Sequence, residues 1–176
     1  MADVTVQLKL SFSQRPLFRA SLAAMALAVL AVGGCSSDDE VPYVERPVNE
    51  LYGEAVTAMD GRNYTNAAKL FDEVERQHPY SVWATRAQVM AAYASYQQND
   101  YDTAIVALDR FIELHPAHRD VPYAYYLKGL CYYEQISDVA RDQQMTAKAQ
   151  QTMQELITRY PRSKYARDAK VKIDLT

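Results

Sequence analysis

The residues with side chains suited to catalysis or metal binding are few, and their spacing matches no common catalytic set. The chain has three histidines, His78, His115 and His118. His78 and His115 each precede a proline at equivalent places 37 residues apart, which indicates a structural role, and His115 and His118 lack a third metal ligand. No GxSxG, phosphate-loop or HExxH motif is present. We therefore expect no catalytic residue, no metal site and no cofactor, and an enzyme is the least favoured class.

Cys35 has the surroundings of a lipid-attachment site. Basic residues near the N-terminus precede an apolar run at 20–32, which is too short to span a bilayer comfortably, and two glycines then stand directly before Cys35. This arrangement resembles a bacterial lipobox, in which the signal peptidase cuts before the cysteine and lipid is attached to its thiol. The alternative is an ordinary signal peptide with an incidental cysteine. We predict a signal peptide at 1–34, a lipidated N-terminus and tether at 35–46, and a repeat domain at 47–176.

The charge of the chain argues against a nucleic-acid partner, and its cysteine count argues against an internal disulfide. Without residues 1–34 the chain carries 16 Lys and Arg against 21 Asp and Glu, with no basic stripe, so nucleic acid is not an expected partner. Cys131 is the one cysteine besides Cys35, so no internal disulfide is expected. It lies in a helical pattern next to Gly129 and Leu130 and is predicted to be a small core residue, the alternative being a reactive nucleophile.

Aromatic and aliphatic residues at helical spacing form a candidate binding surface. Residues at i, i+3 or i+4 and i+7 share one helix face, and three segments repeat such a face. If the segments stack in register, the faces form one concave surface suited to an extended peptide rich in aromatic side chains. The candidate groove residues are Tyr52, Arg86, Val89, Tyr93, Tyr96, Tyr126, Leu130 and Tyr133. Two alternatives remain: the tyrosines pack helix against helix, and Arg86, a candidate partner for a terminal carboxylate, is a solvated surface residue.

The elements that must position these residues are repeated helical hairpins. A Tyr, an Ala three residues later, a large apolar residue four after that and a Pro eight further on occur twice, and a third copy lacks the Tyr. Alanine permits close helix crossing, and the large residue fills the groove one turn later. The signature residues are Tyr64, Ala67, Phe71 and Pro79, then Tyr101, Ala104, Leu108 and Pro116, then Ala149, Met153 and Pro161. The pattern resembles tetratricopeptide repeats, which implies an all-α, superhelical solenoid of stacked antiparallel helix pairs.

Local signals place the helix ends and one insertion. The first helix is expected to start near Pro47 and to end at Asp60. The following helices are expected to be capped at Asn63, Ser81, Asp100 and Asp120, and a seventh to begin after Pro161. The interval from Pro116 to Pro161 is eight residues longer than the preceding one, and the excess falls at 135–144. This insertion is either a functional loop or a longer linker.

Several stretches together resemble one known family. They are the lipobox at Cys35 and the segments 46–52, 108–116, 125–130 and 160–165. In this order they resemble the BamD (ComL) family of outer-membrane assembly lipoproteins. That family carries about five repeats, and this sequence ends within the fourth, so we expect a truncated chain.

The resemblance implies a non-enzymatic scaffold in the machinery that folds β-barrel proteins into the outer membrane. The implied partners are BamA and the other BAM subunits, unfolded outer-membrane β-barrel proteins, whose C-terminal signal the N-terminal repeats receive, and the membrane through the lipid anchor. The implied location is the periplasmic face of the outer membrane. The runner-up is another periplasmic tetratricopeptide lipoprotein that organises envelope or cell-wall enzymes.

Overall fold

The described residues, 45–136 and 143–174 of a computed structural model, form seven α-helices and the turns between them. The helices are α1 (Val48–Asp60), α2 (Tyr64–Gln77), α3 (Val82–Gln97), α4 (Tyr101–Leu114), α5 (Val121–Glu134), α6 (Gln143–Arg159) and α7 (Lys164–Ile173). These two ranges contain no strand. The predicted signal peptide, Cys35 and most of the tether lie outside the described residues, as does the middle of the 135–144 insertion.

The helices are arranged as three antiparallel hairpins and one further helix. Each helix packs against the next along the chain, and α7 packs on both α6 and α5. The backbones of the first helices also approach each other, α1 with α3, α3 with α5 and α5 with α7. Among the described second helices the backbones stay further apart, and α2 and α4 meet through side chains, as in the ion pair of Arg110 with Glu75. The first helices therefore lie on the inner side of the curve, as the predicted tetratricopeptide-like solenoid requires.

Side-chain caps define most helix starts. The side chains of Asn63, Ser81 and Asp100 accept hydrogen bonds from the backbone N–H three residues on, which confirms these three predicted caps. Ser163 does the same for α7 by accepting from the N–H of Ala166. Each cap satisfies a backbone donor that the helix itself leaves without a partner.

Asp120 does not cap α5 as predicted. It occupies the residue before the helix, but its side chain accepts no capping hydrogen bond. Its backbone ψ of 1° differs from the extended backbone of Ser81 and Ser163, and its carboxylate lies 3.5 Å from Arg119 Nε and 3.8 Å from His118 Nδ1. The carboxylate therefore points to Arg119 and His118 instead of the first turn.

The turns between hairpins contain the prolines of the repeat signature, and the turns within the first two hairpins each contain a residue with a left-handed backbone. Helices α2, α4 and α6 each end two residues before the prolines of the repeat signature, since the residue before a proline disfavours helix. Within the first two hairpins, Arg62 and Asn99 have φ angles of 58° and 64° at equivalent positions. These left-handed residues turn the chain sharply into α2 and α4.

The repeat signature forms the helix contacts that it predicts. The three signature alanines, Ala67, Ala104 and Ala149, are fully buried, and so are the large residues one turn later. Gly129 of α5 faces Met153, the large residue in the third copy of the signature. A Cβ atom at Gly129 would lie 2.9 Å from Met153 Cγ. The crossing of α5 over α6 therefore depends on a glycine facing Met153.

The core divides into two clusters that share α3. One cluster contains Leu51, Ala55 and Phe71 from the first hairpin together with Ala87 and Ala91 of α3. The other runs from Val89 and Ala92 of α3 through α4, α5 and α6 to Ala166 and Ala169 of α7. Each hairpin thus buries its apolar face against the next one.

Candidate functional site

Partly buried tyrosines cover the inner side of the first helices from α3 to α7. They are Tyr93, Tyr96, Tyr123, Tyr126 and Tyr165, and we call them the tyrosine surface. On α3, the rings of Tyr93 and Tyr96 are stacked with centroids 6.4 Å apart, and Tyr101 at the start of α4 lies 5.8 Å from Tyr96. Since Tyr93 and Tyr96 are three residues apart, they lie on the same face of α3.

The second half of the tyrosine surface joins α5 to α7. The ring centroid of Tyr165 lies 5.2 Å from that of Tyr123 and 5.6 Å from that of Tyr126, with Tyr126 stacked. The Tyr126 hydroxyl donates a hydrogen bond to Asp168 Oδ2. Two turns further along α5, Tyr133 has Lys172 Nζ 5.0 Å from its ring centroid. These contacts hold α7 against α5 and leave part of each ring accessible.

Burial raises the pKa of three phenol groups of the tyrosine surface. Loss of hydration raises the pKa of Tyr96 to about 12, with a smaller contribution from Glu134. The pKa of Tyr123 is raised by burial first and then by the neighbouring Tyr93. Burial and then the Asp168 hydrogen bond raise the pKa of Tyr126. The hydroxyls of Tyr96, Tyr123 and Tyr126 are therefore uncharged donors and acceptors beside apolar rings.

Tyr52 packs between helices of the first two hairpins. Its ring centroid lies 5.4 Å from that of Phe71 and 4.7 Å from that of Trp83, which links α1, α2 and α3. Burial raises the pKa of Tyr52, and the positive charge of Arg86 partly opposes that shift. For Tyr52 the structure thus shows the helix-packing role that the sequence left open.

Val89 and Leu130 differ in their accessibility. Val89 is only 5% exposed and belongs to the core, so a groove-lining position does not agree with its burial. It lies in the inner row of α3, but the neighbouring helices cover it. Leu130 is partly buried against the same core, between Tyr126 and Tyr133 along α5. We therefore retain Leu130 and omit Val89 when we consider ligand contacts.

Arg86 lies at the start of the solenoid's second hairpin, in a setting that differs from the tyrosine surface. Its guanidinium carbon is 5.7 Å from the Trp83 ring centroid. The side chain is exposed and lines a cavity of about 260 Å³ together with Trp83 and the turn residues His118, Arg119 and Asp120. A carboxylate placed in this cavity would meet two guanidinium groups beside one carboxylate, so the role predicted for Arg86 stays a prediction.

The residues with reactive side chains are engaged in packing and turns. His78 Nε2 lies 2.6 Å from the carbonyl oxygen of Arg46, and His115 and His118 both pack against the Phe111 ring. Cys131 is fully buried, which confirms it as a core residue, and burial raises the pKa of its thiol to about 12. Within residues 45–136 and 143–174, no cluster of three metal-ligating side chains occurs.

Three contributors to the surface were not among the residues singled out from the sequence. They are Tyr123, Tyr165 and Asp168, the last two from α7. The signal for the tyrosines was present, because Trp83, Tyr123 and Tyr165 each directly precede a buried alanine near the start of a first helix. Asp168 had no such signal, since its role depends on how α7 is turned towards α5.

Most of the chain matches the sequence model of one known protein family. Residues 44–176 match the model of the YfiO family, whose description is "Outer membrane lipoprotein". The chain belongs to this family. None of the helices in the described ranges is both long and apolar enough to cross a lipid bilayer.

The curated proteins that this chain resembles, described below, share one name. A protein of Caulobacter vibrioides is 44% identical over 167 residues, covering 93% of this chain and 54% of its own length, and is named "Outer membrane protein assembly factor BamD". Proteins with the same name from Rickettsia prowazekii and Neisseria meningitidis serogroup B are 39% and 36% identical, covering 88% and 82% of this chain. The chain spans 54–61% of the length of these three relatives.

Solved structures agree with the fold. A structure of MamA from Desulfovibrio magneticus RS-1, residues 41 to the end, superposes with a TM-score of 0.53 over 73% of this chain and 67% of that chain. A double mutant of MamA gives a TM-score of 0.52 over 89% of this chain and 79% of that chain. At 22% and 20% sequence identity, these likenesses concern the helical-repeat fold alone.

Proposed function

We propose that this protein is a lipoprotein scaffold in the assembly of outer-membrane β-barrel proteins, with no catalytic step of its own. Membership of the outer membrane lipoprotein family and the common name of the curated relatives support this role. The chain is attached through lipid on Cys35 to the periplasmic face of the outer membrane. Its partners there are BamA and the other BAM subunits and the unfolded barrel proteins.

The tyrosine surface is the observation that supports substrate binding. Strands of transmembrane barrels alternate apolar and polar residues and carry aromatic residues at the membrane interfaces. An extended segment of this kind needs apolar area for every second side chain and hydrogen-bonding groups for its backbone. The tyrosine surface offers both, because partly exposed rings lie beside protonated hydroxyls on successive first helices. We infer that it receives the C-terminal segment of a barrel protein.

The test is binding of a fluorescently labelled peptide with the sequence of a barrel's C-terminal segment to the purified chain. Tyr93→Ala should weaken binding about tenfold, the loss typical of a tyrosine at the centre of an interface. Tyr126→Ala should weaken it as well. Tyr132→Ala is the matched control, because Tyr132 is also a partly buried tyrosine of α5 but contacts Lys148 of α6. Anisotropy gives the dissociation constants, and circular dichroism checks that each variant keeps its helicity.

Three results would argue against the proposal. If the helical wild-type chain shows no saturable binding, substrate reception by these repeats is excluded. If the chain also fails to retain BamA in a pulldown, the assembly role itself fails, and a scaffold for envelope or cell-wall enzymes becomes the better proposal. Equal loss of affinity in the Tyr132→Ala control would show that the effect comes from damaged packing and not from the tyrosine surface.

A further inference from the structure

The N-termini of the first helices and the turns that precede them lie along one edge of the solenoid. We call this the N-terminal edge; it comprises the first residues of α1, α3, α5 and α7, the turns 78–81, 115–120 and 160–163, and Leu114, which directly precedes the second turn. Arg46 joins the first of these turns through His78. The cavity shared by Trp83 and Asp120 joins the start of α3 to the second turn, and the contact of Tyr123 with Tyr165 joins the starts of α5 and α7.

Exposed apolar side chains are concentrated on this edge. Tyr80 is fully exposed, Val82 is 84% exposed and Leu114, at the end of α4, is 60% exposed. They are three of the five large hydrophobic residues that are exposed in the described parts of the chain; the other two, Val106 and Val171, lie within α4 and α7. Since Tyr80 and Val82 bury little in the folded chain, packing does not explain why they are apolar.

Basic residues accompany these apolar side chains. Arg119 is 78% exposed, and Arg162 and Lys164 are exposed in the third turn and at the start of α7. Asp120, which pairs with Arg119, lies on the same edge, and Glu50 and Glu113 lie near it; these carboxylates reduce the net positive charge of the edge. Aromatic and apolar groups flanked by Arg and Lys are typical of surfaces that meet the headgroups of an anionic bilayer.

The path of the chain brings the lipid anchor to the same edge. The Arg46 N–H donates to Gln77 Oε1 over 2.8 Å, and the Arg46 carbonyl oxygen lies 2.6 Å from His78 Nε2. The chain before Arg46 therefore leaves from the N-terminal edge. Eleven peptide units separate Cys35 from Arg46. Even fully extended they span at most about 40 Å, so a lipid on Cys35 keeps the start of α1 within about that distance of the membrane.

We propose that the N-terminal edge is a membrane-contact surface, in which Tyr80, Val82 and Leu114 enter the headgroup region of a phospholipid leaflet and Arg119 and Arg162 bind its phosphates. This inference rests on the lipid anchor of the proposed function. The anchor alone leaves the domain free to rotate. Contact through this edge orients the domain so that the first helices stand with their N-termini towards the bilayer, and the tyrosine surface then faces sideways, accessible from the periplasm.

Trp83 provides a direct probe, because it is the one tryptophan of the sequence and directly follows Val82. The full lipidated chain is added to vesicles of phosphatidylethanolamine and phosphatidylglycerol with brominated acyl chains, which quench a nearby indole. We expect Trp83 fluorescence to be quenched relative to vesicles with unbrominated lipid. Tyr80→Ser combined with Val82→Ser should reduce the quenching by roughly half, because the apolar contact is lost.

Matched variants separate the apolar contribution from the charged one. Val106→Ser replaces another exposed apolar residue, 69% exposed and away from the edge, and should leave the quenching unchanged. Quenching should be stronger on vesicles that contain phosphatidylglycerol than on vesicles without it. Arg119→Gln combined with Arg162→Gln should remove this difference.

The failure of this inference can be distinguished from the failure of the proposed function. A chain that stays on the vesicles but shows no quenching of Trp83 has its anchor and lacks the contact, so the inference is wrong and the anchor stands. A chain that does not stay on the vesicles, with no lipid on Cys35 by mass spectrometry, overturns both. If the Tyr80 and Val82 substitutions lower retention of BamA while the quenching is unchanged, the edge binds a protein and the inference is likewise wrong.

Discussion

Tyr96 and Tyr126 show how partial burial determines what a tyrosine can do in this protein. Each ring packs against neighbouring rings, which removes water from the phenol oxygen and disfavours its negative charge. The Tyr126 hydroxyl in addition donates a hydrogen bond to Asp168 and so links α5 to α7. The tyrosines therefore contribute to helix packing and to the candidate binding surface at the same time, so the two roles considered for them are not exclusive.

The pKa of Tyr96 gives a prediction about stability at high pH. Burial raises its pKa to about 12, against about 10 in an unfolded chain. Between these values the unfolded state releases the proton more readily, so the stability contributed by Tyr96 is complete below about pH 10 and is lost as pH rises towards 12. Urea unfolding over this range should show a shallower decline for Tyr96→Phe than for the wild type. Tyr80→Phe, at a fully exposed ring, is the control, and equal declines in all three proteins would contradict the assignment.

At the scale of the helices, the sequence allowed the fold to be predicted because each signal has a local physical cause. Asn63, Ser81 and Asp100 bond to the first turn that follows them, and each repeat proline ends the helix before it, so neither effect needs distant residues. The cap predicted at Asp120 was wrong because the Asp120 carboxylate lies beside Arg119 and His118 of its own turn. A cap is thus predictable only where nothing else binds the capping side chain.

The candidate site was less predictable than the helices because it depends on contacts between residues that are distant in the sequence. Helical spacing identified Tyr93, Tyr96 and Tyr126 as residues of one face, but spacing does not tell which part of that face the neighbouring helix covers. Val89 lies on the predicted face and is buried, whereas Tyr165 and Asp168 join the surface only because α7 packs on α5. Contacts between hairpins, which decide accessibility, depend on rotations of whole helices that a sequence pattern does not specify.

Ser81 caps its helix and Asp120 does not, and unfolding in urea can measure what this difference contributes to the free energy of unfolding. Ser81→Ala should cost about 1 kcal/mol of unfolding free energy, because the Ala84 N–H loses its hydrogen-bond acceptor. Asp120→Ala should cost clearly less, since its carboxylate makes no cap and its ion pairs are only partly buried. A loss for Asp120→Ala as large as that for Ser81→Ala would show that Asp120 caps α5 in solution.

At the scale of the whole molecule, the two core clusters divide the solenoid into regions that meet at α3. Ala87 and Ala91 of α3 belong to the cluster of the first hairpin, while Val89 and Ala92 belong to the cluster that extends to α7. In a stack of this kind, stability is approximately the sum of contributions from each hairpin and each interface between neighbours. A change in one cluster should therefore destabilise its own hairpins first and reach the others only through α3.

A pair of core substitutions tests this division. Leu51 and Leu156 are both fully buried leucines, the first in the cluster of α1 to α3 and the second on α6 in the other cluster. Each change to alanine should cost about 2–5 kcal/mol, because it removes buried methyl groups and leaves a cavity. Amide hydrogen exchange should show that Leu51→Ala lowers protection mainly in α1 and α2, and that Leu156→Ala lowers it mainly in α5, α6 and α7. If either variant lowers protection equally in all seven helices, the domain unfolds as one cooperative unit, and a sum over neighbouring hairpins does not describe its stability.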